Sequence, residues 1–222
     1  MSDLTVVYYT ANVVPEEFGT KVRNQIKKAT NAPIISVSKK PIAFGQNIVV
    51  STPRSHISIY RDALTGVGAA KTKYVALCED DVLYSPEHFK KRPTDGVFAY
   101  NMSAWNVHPW EKVFHHKAGG RRNLHSLICE RDLFIEAMEE RFAKHPEGTN
   151  PAIWAEPGKY ESQLGVTVRS TEVFYGNPPN IIFYHDTALS YEHLAKRKRL
   201  GEYRAIEIQY WGRVEDIIKE YK

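Results

Sequence analysis

Three acidic side chains in a row, Glu79, Asp80 and Asp81, follow the apolar run VALC at residues 75–78 with no spacer. Like charges that close repel, and two carboxylates on one side cannot both stay ionised cheaply unless a cation lies between or near them. Side chains alternate along a strand, so a strand continuing through the acids would point Glu79 and Asp81 one way and Asp80 the other. Oxygen donors of this kind suit a hard divalent ion, Mg2+ or Mn2+, which keeps places for water and phosphate oxygens. The competing reading is structural: the acids cap the segment YSPEHFKK that follows, or form a solvated turn.

Such carboxylates act together only if rigid elements deliver them. LTVVYYT (4–10) is β-branched and aromatic and ends at the polar TAN, the pattern of a buried strand. Pro15 opens PEEFGTKVRNQIKKA, with acids first and lysines last, as a helix dipole favours. APIISVS (32–38) reads as a second strand, and KKPIAFGQNIVVSTP as a loop broken by proline and glycine. RSHISIYRDALTGVGAAKT (54–72) spaces Ile57, Tyr60, Leu64, Val67 and Ala70 as a helix packed on a sheet would, and leads into KYVALCEDD. Strand, helix, strand, helix, strand predicts an α/β chain: a mostly parallel central sheet flanked by helices, with right-handed crossovers. Ligands bind such sheets at the carboxyl ends of the strands, where the three acids fall. Further on, GVFAYNMSAW (96–105) and NIIFYHD (180–186) read as strands and ERDLFIEAMEERFAKH (130–145) as an amphipathic helix. From YEHLAKRKRLG to the C-terminus the charged sequence predicts a helical segment with breaks at Gly201 and Gly212.

The 222 residues suit one domain with a substantial core, and 42% hydrophobic against 25% charged residues is a folding composition rather than a disordered one. No apolar stretch approaches the roughly 18 residues a bilayer span needs, and MSDLTVVYYT lacks the features of a signal peptide. A cytoplasmic protein with no membrane partner is expected. Cys78 and Cys129 each sit in an apolar run without metal-ligand spacing, which predicts reduced core residues. The net charge of +4 is bunched in KKR (90–92), HHKAGGRR (115–122) and KRKR (196–199). Clusters like these attract nucleotide phosphates or nucleic acid; each is also compatible with a solvated helix face.

The YYTAN loop after the first strand, the helix over 54–70 leading into AAKTKYVALCEDD, and the later FYHD together resemble the GT-A-type glycosyltransferases, especially the family 2-like enzymes. The resemblance is best over residues 4–105 and looser beyond. It implies a single GT-A-like, Rossmann-like domain over 1–222, with a nucleotide-sugar-binding half (1–105) and an acceptor-binding half with a basic C-terminal segment (106–222). In that family a DXD motif after the central strand holds a divalent metal that bridges the diphosphate of a nucleotide sugar. The matching positions are Glu79, Asp80 and Asp81; Glu at the first departs from the pattern, so Asp81 is the expected metal ligand and Glu79 and Asp80 are assigned to the nucleotide sugar.

A late histidine often joins the metal in this family. His185 matches it, with Asp186 to orient the ring; nitrogen ligation favours Mn2+, and a satisfied core histidine is the other reading. Lys196 and Arg199 would share a helix face and neutralise the leaving diphosphate. Thr10 and Asn12, with Arg54 and Arg61 from the next helix, would hold base, ribose or phosphates, although Asn12 also fits a turn and Arg61 a surface ion pair. Inverting transfer needs a base for the acceptor hydroxyl. Glu156, beside Trp154 and ahead of Pro157 and Gly158, is the favoured carboxylate, and Glu161 is the alternative or an ordinary first-turn acid. Trp105, His108 and Trp110 would form a stacking wall for sugar or acceptor, or else belong to the core.

The compact chain resembles the small stand-alone glycosyltransferases of bacteriophages and their metagenomic relatives, some of which glycosylate the hydroxymethyl group of a modified pyrimidine in DNA. That implies a UDP-sugar donor, a DNA acceptor gripped in part by Arg121 and Arg122, and the host cytoplasm as location if the gene is a phage's. A glycan acceptor, a metal-dependent nuclease and a non-catalytic nucleic-acid-binding module are the alternatives.

Overall fold

The computed structural model describes residues 2–108, 110–116, 121–148, 156–186 and 201–221. Strand β1 (Leu4–Thr10) is buried along its whole length, because both faces of this run are apolar. Val6 and Tyr8 pack with Phe18, Val22 and Ile26 of α1 (Glu16–Ala29) on one side. Val7 and Tyr9 pack on the other with Tyr60, Ala63 and Val67 of α2 (His56–Ala69), and with Phe134, Ala137 and Met138 of α3 (Arg131–Lys144). α2 begins at a Ser55–Ser58 capping box, which fixes where the helix leaves the preceding loop.

Further strands are β2 (Ile34–Ser38), β3 (Gln46–Val49), β4 (Tyr74–Glu79), β5 (Val82–Leu83), β6 (Val97–Asn101), β7 (Ala104–Val107), β8 (Phe114–His116), β9 (Leu127–Glu130), β10 (Ser170–Phe174) and β11 (Asn180–Phe183). A seven-stranded sheet has the order β10-β6-β9-β4-β1-β2-β3, and β9 alone runs against its neighbours. This is the expected α/β architecture, a central mostly parallel sheet between helices, with β1 and β4 as neighbours in its middle. Strands β9 and β10 lie beyond residue 105, so the two halves expected from the sequence interleave in one sheet.

A second sheet, in the order β12-β8-β7-β11-β5 with β12 at Tyr203–Ala205, packs Phe114, Ile181 and Phe183 into the α1-side core. GVFAYNMSAW is therefore two strands and not one: the chain leaves β6 at Asn101 and enters the other sheet at Ala104. The stretch read as a loop contains β3, an edge strand whose half-exposed residues give no clean alternation; Asn47 ties it to the side chains of Ser36 and Ser38 at 2.9 Å each.

The helical expectation for the C-terminus also fails in part. Tyr203–Ala205, β13 (Glu207–Ile208) and β14 (Gly212–Arg213) are short strands, and among the described residues of this stretch only α4 (Val214–Glu220) is helical. Tertiary partners decide this: β12 pairs with β8, and the Trp211 indole N–H donates to the Pro179 carbonyl at 2.7 Å. The stretch 187–200, with Lys196 and Arg199, lies outside the described residues. Cys78 and Cys129 are free and buried, as expected. Among the described residues no helix is long and apolar enough to cross a membrane.

Close packing of α2 on the sheet depends on Gly66. A Cβ there would stand 2.5 Å from Val7 Cγ1 and 3.0 Å from Val37 Cγ2. Gly66→Ala is expected to lower stability by about 1–3 kcal/mol through overpacking, read as a shift of the denaturation midpoint at unchanged m-value.

Candidate active site

A cleft of about 480 Å3 opens at the carboxyl ends of β1, β2 and β4 and is lined by residues from both sheets. Strand β4 ends at Glu79, and Asp80 and Asp81 occupy the turn before β5. The expected alternation of the three acids therefore stops at the strand end, and each carboxylate has its own surroundings. Glu79 accepts the Tyr9 hydroxyl at 2.7 Å on one oxygen and faces His125 Nδ1 at 3.4 Å with the other. Asp80 accepts the Thr10 hydroxyl. Asp81 Oδ2 lies 3.6 Å from His185 Nε2, while its buried Oδ1 has no hydrogen-bond partner among the described residues. His185 reaches this position because the Phe183 amide donates to the Asp81 carbonyl at 2.8 Å, pinning the end of β11 to the acidic turn.

Burial, and next the Asp81 charge, push Asp80 up to about 7, against the Thr10 hydrogen bond and the His185 charge. Burial works against a charged His185, but the hydrogen bond it donates to Asp81 and the charges of Asp81 and Asp80 outweigh it and raise its pKa. His125 behaves alike: burial opposes its charge, and Glu79 raises the pKa overall. Five carboxylates, Asp62, Glu79, Asp80, Asp81 and Glu156, thus share the cleft lining with Lys39, Arg54 and Arg121.

Among the described residues no three His, Cys, Asp or Glu side chains stand together as a closed metal cage. Mg2+ and Mn2+ need no closed cage when phosphate and water oxygens complete the shell. Asp81, with an orphaned buried oxygen and His185 close by, fits such an open site.

Of the other expected residues, Thr10, Arg54, Arg121 and Glu156 line the same cleft. Glu156 is paired with Lys159 at 2.7 Å, and Lys159 also donates to the Arg122 carbonyl. The neighbour of the Glu156 carboxylate among the described residues is thus an ammonium group; Trp154 lies outside them. Arg122 is joined to this group through its main chain, and its side chain is not in the lining.

Several expected residues lie elsewhere. Asn12 is a turn residue with φ 54°, whose side-chain oxygen accepts the amides of Lys39 and Lys40 at 2.8 and 2.9 Å. Arg61 stacks on Phe142 and donates to the Pro146 carbonyl, away from the cleft. Glu161 is buried beside Arg141 at 3.4 Å and accepts the amides of Gly158 and Arg169 at 2.9 and 2.7 Å; it holds a loop and faces no ligand.

Trp105 packs on His116 and the core. His108 is buried and stacked on Tyr184 at 4.6 Å between ring centroids, and burial and His115 push it down to about 4. Half-exposed Trp110 adjoins His108. Trp105, His108 and Trp110 are therefore not in the cleft lining, and Tyr184, on which His108 stacks, lines it together with Tyr9 and Tyr60.

His125, Tyr9, Lys39 and Asp62 line the cleft without having been singled out from the sequence. Lys39 bonds Asp62 at 2.6 Å. The one signal for His125 was a polar residue directly before the apolar run SLIC, and a single histidine in that setting marks nothing by itself.

No family model and no curated protein matches the chain. Among solved structures it is similar to S. aureus TarS 1-349 in complex with UDP-GlcNAc, with a TM-score of 0.47 and 10% identity. That alignment covers 88% of this chain and 61% of the TarS chain, so the protein spans about three-fifths of that relative's length.

Proposed function

We propose that the protein is a metal-dependent glycosyltransferase that moves a sugar from a nucleotide sugar, a UDP-sugar, to an acceptor hydroxyl. The observation that carries this reading is Asp81, with its orphaned buried oxygen, set between Asp80 and His185 at the carboxyl end of the central strand. The sequence resemblance to GT-A-type enzymes supplies the reaction class.

Asp81 and His185 would hold Mn2+ or Mg2+, and Asp80 and Thr10 would border the diphosphate. When bound, the ion supplies positive charge to the diphosphate as it departs. Arg54 adds a cation on the same side of the cleft, where its charge already opposes that of His185. Glu156 is the one of the two expected carboxylates that lines the cleft, and it is assigned the acceptor proton. Lys159 fixes its orientation. Transfer is then inverting: the acceptor oxygen bonds the anomeric carbon from the side opposite the departing diphosphate.

The acceptor is proposed to be the hydroxymethyl group of a modified pyrimidine in phage DNA. The phage-enzyme resemblance favours it, and Arg121 at the cleft lining and the basic run before it suit a polyanion.

The test incubates the protein with Mn2+, a panel of nucleotide sugars, and DNA with or without 5-hydroxymethylpyrimidine, followed by nucleoside masses. A hexose or pentose increment on modified DNA is the expected result, and it should be lost in Glu156→Gln. Hydrolysis of the nucleotide sugar with no DNA product would sink the DNA acceptor and direct the search to glycans. Strand cleavage without any sugar donor would point to a nuclease, and salt-sensitive DNA binding with no turnover to a binding module.

A further inference from the structure

A second hollow, of about 420 Å3, shares Thr10 with the cleft but is otherwise formed by the loop after β1, by α1 and by the loop after β2. We propose that this hollow binds a small phosphate ester, with Arg23 and Lys40 as its cations and Asn12 as a neutral donor. The inference does not depend on the glycosyltransferase reading.

The lining carries two cations, Arg23 and Lys40, against one carboxylate, Glu16; Arg23 donates to Glu16 and, at 2.7 Å, to the Thr20 hydroxyl. The Arg23 side chain is only 9% exposed, and its one carboxylate partner among the described residues, Glu16, is 72% exposed. Because Glu16 stands in water, a ligand oxyanion can take its place on the guanidinium without leaving that buried charge unpaired. Lys40, also in the lining, has no carboxylate partner among the described residues. The oxygen of the Asn12 side chain is used up by the amides of Lys39 and Lys40, which leaves its NH2 group as a donor.

The Tyr8 hydroxyl, on the same face of β1 two residues before Thr10, is buried beside the charges of Arg23 and Asp80. A guanidinium matches two phosphate oxygens, which favours phosphate over a compact halide. Val14 and Ile42 give the hollow an apolar side, and its volume exceeds that of phosphate alone, which is the reason for an ester.

Occupancy would be felt in the cleft. The Thr10 hydroxyl accepts the Asn12 amide at 2.8 Å while donating to Asp80, so a ligand drawing on Asn12 pulls on the group that holds Asp80.

Inorganic phosphate and glycerol 3-phosphate, titrated at constant ionic strength into the full chain, test the proposal by backbone amide shifts and heat. Shifts should centre on the amides of Thr10, Asn12 and Lys40, with the ester binding more tightly than inorganic phosphate. Affinity should fall about tenfold in Arg23→Met and about threefold in Lys40→Ala. The second variant alters an exposed side chain and keeps the test valid if the first does not fold. The proposal is overturned if shifts cluster around Arg54 and His185, or if Lys40→Ala binds as the wild type does. Equal responses to chloride, or an ester no tighter than phosphate, also overturn it.

Discussion

Asp81→Asn is expected to lower Mn2+-dependent transfer by about 100- to 1000-fold, while making the metal-free protein more stable above neutral pH. The first effect removes the carboxylate proposed to hold the ion. The second follows from Asp80, which burial and Asp81 push up to about 7 from an ordinary 3.8. Between those values the folded chain keeps a proton that the unfolded chain has released, so stability falls as pH rises through that window and stays lowered above it. The full shift corresponds to at most about 4 kcal/mol, and part of it belongs to the Asp81 charge that the substitution removes.

Taking away the Asp81 charge returns part of that. Mn2+ should do the same for the wild type, with a larger rise in Tm at pH 8 than at pH 5.5, because His185, whose pKa is raised, must lose its proton to bind the ion and a protonated Asp80 adds no charge beside it. Denaturation scans at the two pH values with and without Mn2+ read both effects. A wild-type Tm indifferent to Mn2+ at pH 8, or transfer surviving in Asp81→Asn, would remove Asp81 from the metal.

Arg141→Ala is the substitution expected to cost the most stability. The side chain is fully buried on α3, and its Nη2 donates to the carbonyls of Glu156 and Lys159 at 3.4 and 3.2 Å as well as pairing with Glu161. Removing one partner of a buried ion pair leaves the other charged and unsolvated, at about 3–5 kcal/mol. For a chain of this size that is roughly 6–20 °C in Tm.

The loss falls on the loop that carries Glu156, which is also held by the Tyr100 hydroxyl on the Pro157 carbonyl and by Gly158. Gly158 has φ 82° and packs against Thr171 where any Cβ would collide. Adding Glu161→Leu to Arg141→Met should recover part of the loss by removing the orphaned charge. Recovery stays incomplete, because Glu161 also accepts the amides of Gly158 and Arg169. A change under about 1 kcal/mol in Arg141→Ala would show that the loop does not depend on the pair.

The central elements were legible because each burial pattern is local. β1 and β4 are apolar on both faces, and α1 and α2 carry one apolar side each, which the sheet covers. β3 and β12 were not legible: both lie at sheet edges, half exposed, and owe their conformation to a neighbour far away in sequence. The same division runs through the site. Residues directly behind a buried strand, Thr10, Asp80, Asp81 and His185, could be placed at a sheet end from sequence, since a strand delivers its last residues there. Glu161, Arg61 and His108 have residue types that suit chemistry, but their partners are Arg141, Pro146 and Tyr184, and no spacing in the sequence announces those contacts.

The amino-acid sequence by itself determined the alternation of strands and helices, the two-sided burial of the middle strands and the acidic turn at their carboxyl end. These follow from hydrophobic periodicity and chain connectivity over short distances. Only the tertiary structure decided that Glu79 turns to Tyr9 and His125, that Asp81 keeps a buried oxygen without a partner beside His185, and that Glu161 is tied to Arg141 while Glu156 reaches the cleft. The direction of a side chain past the end of a strand is set by whatever packs against it, and here those neighbours come from residues dozens of positions away.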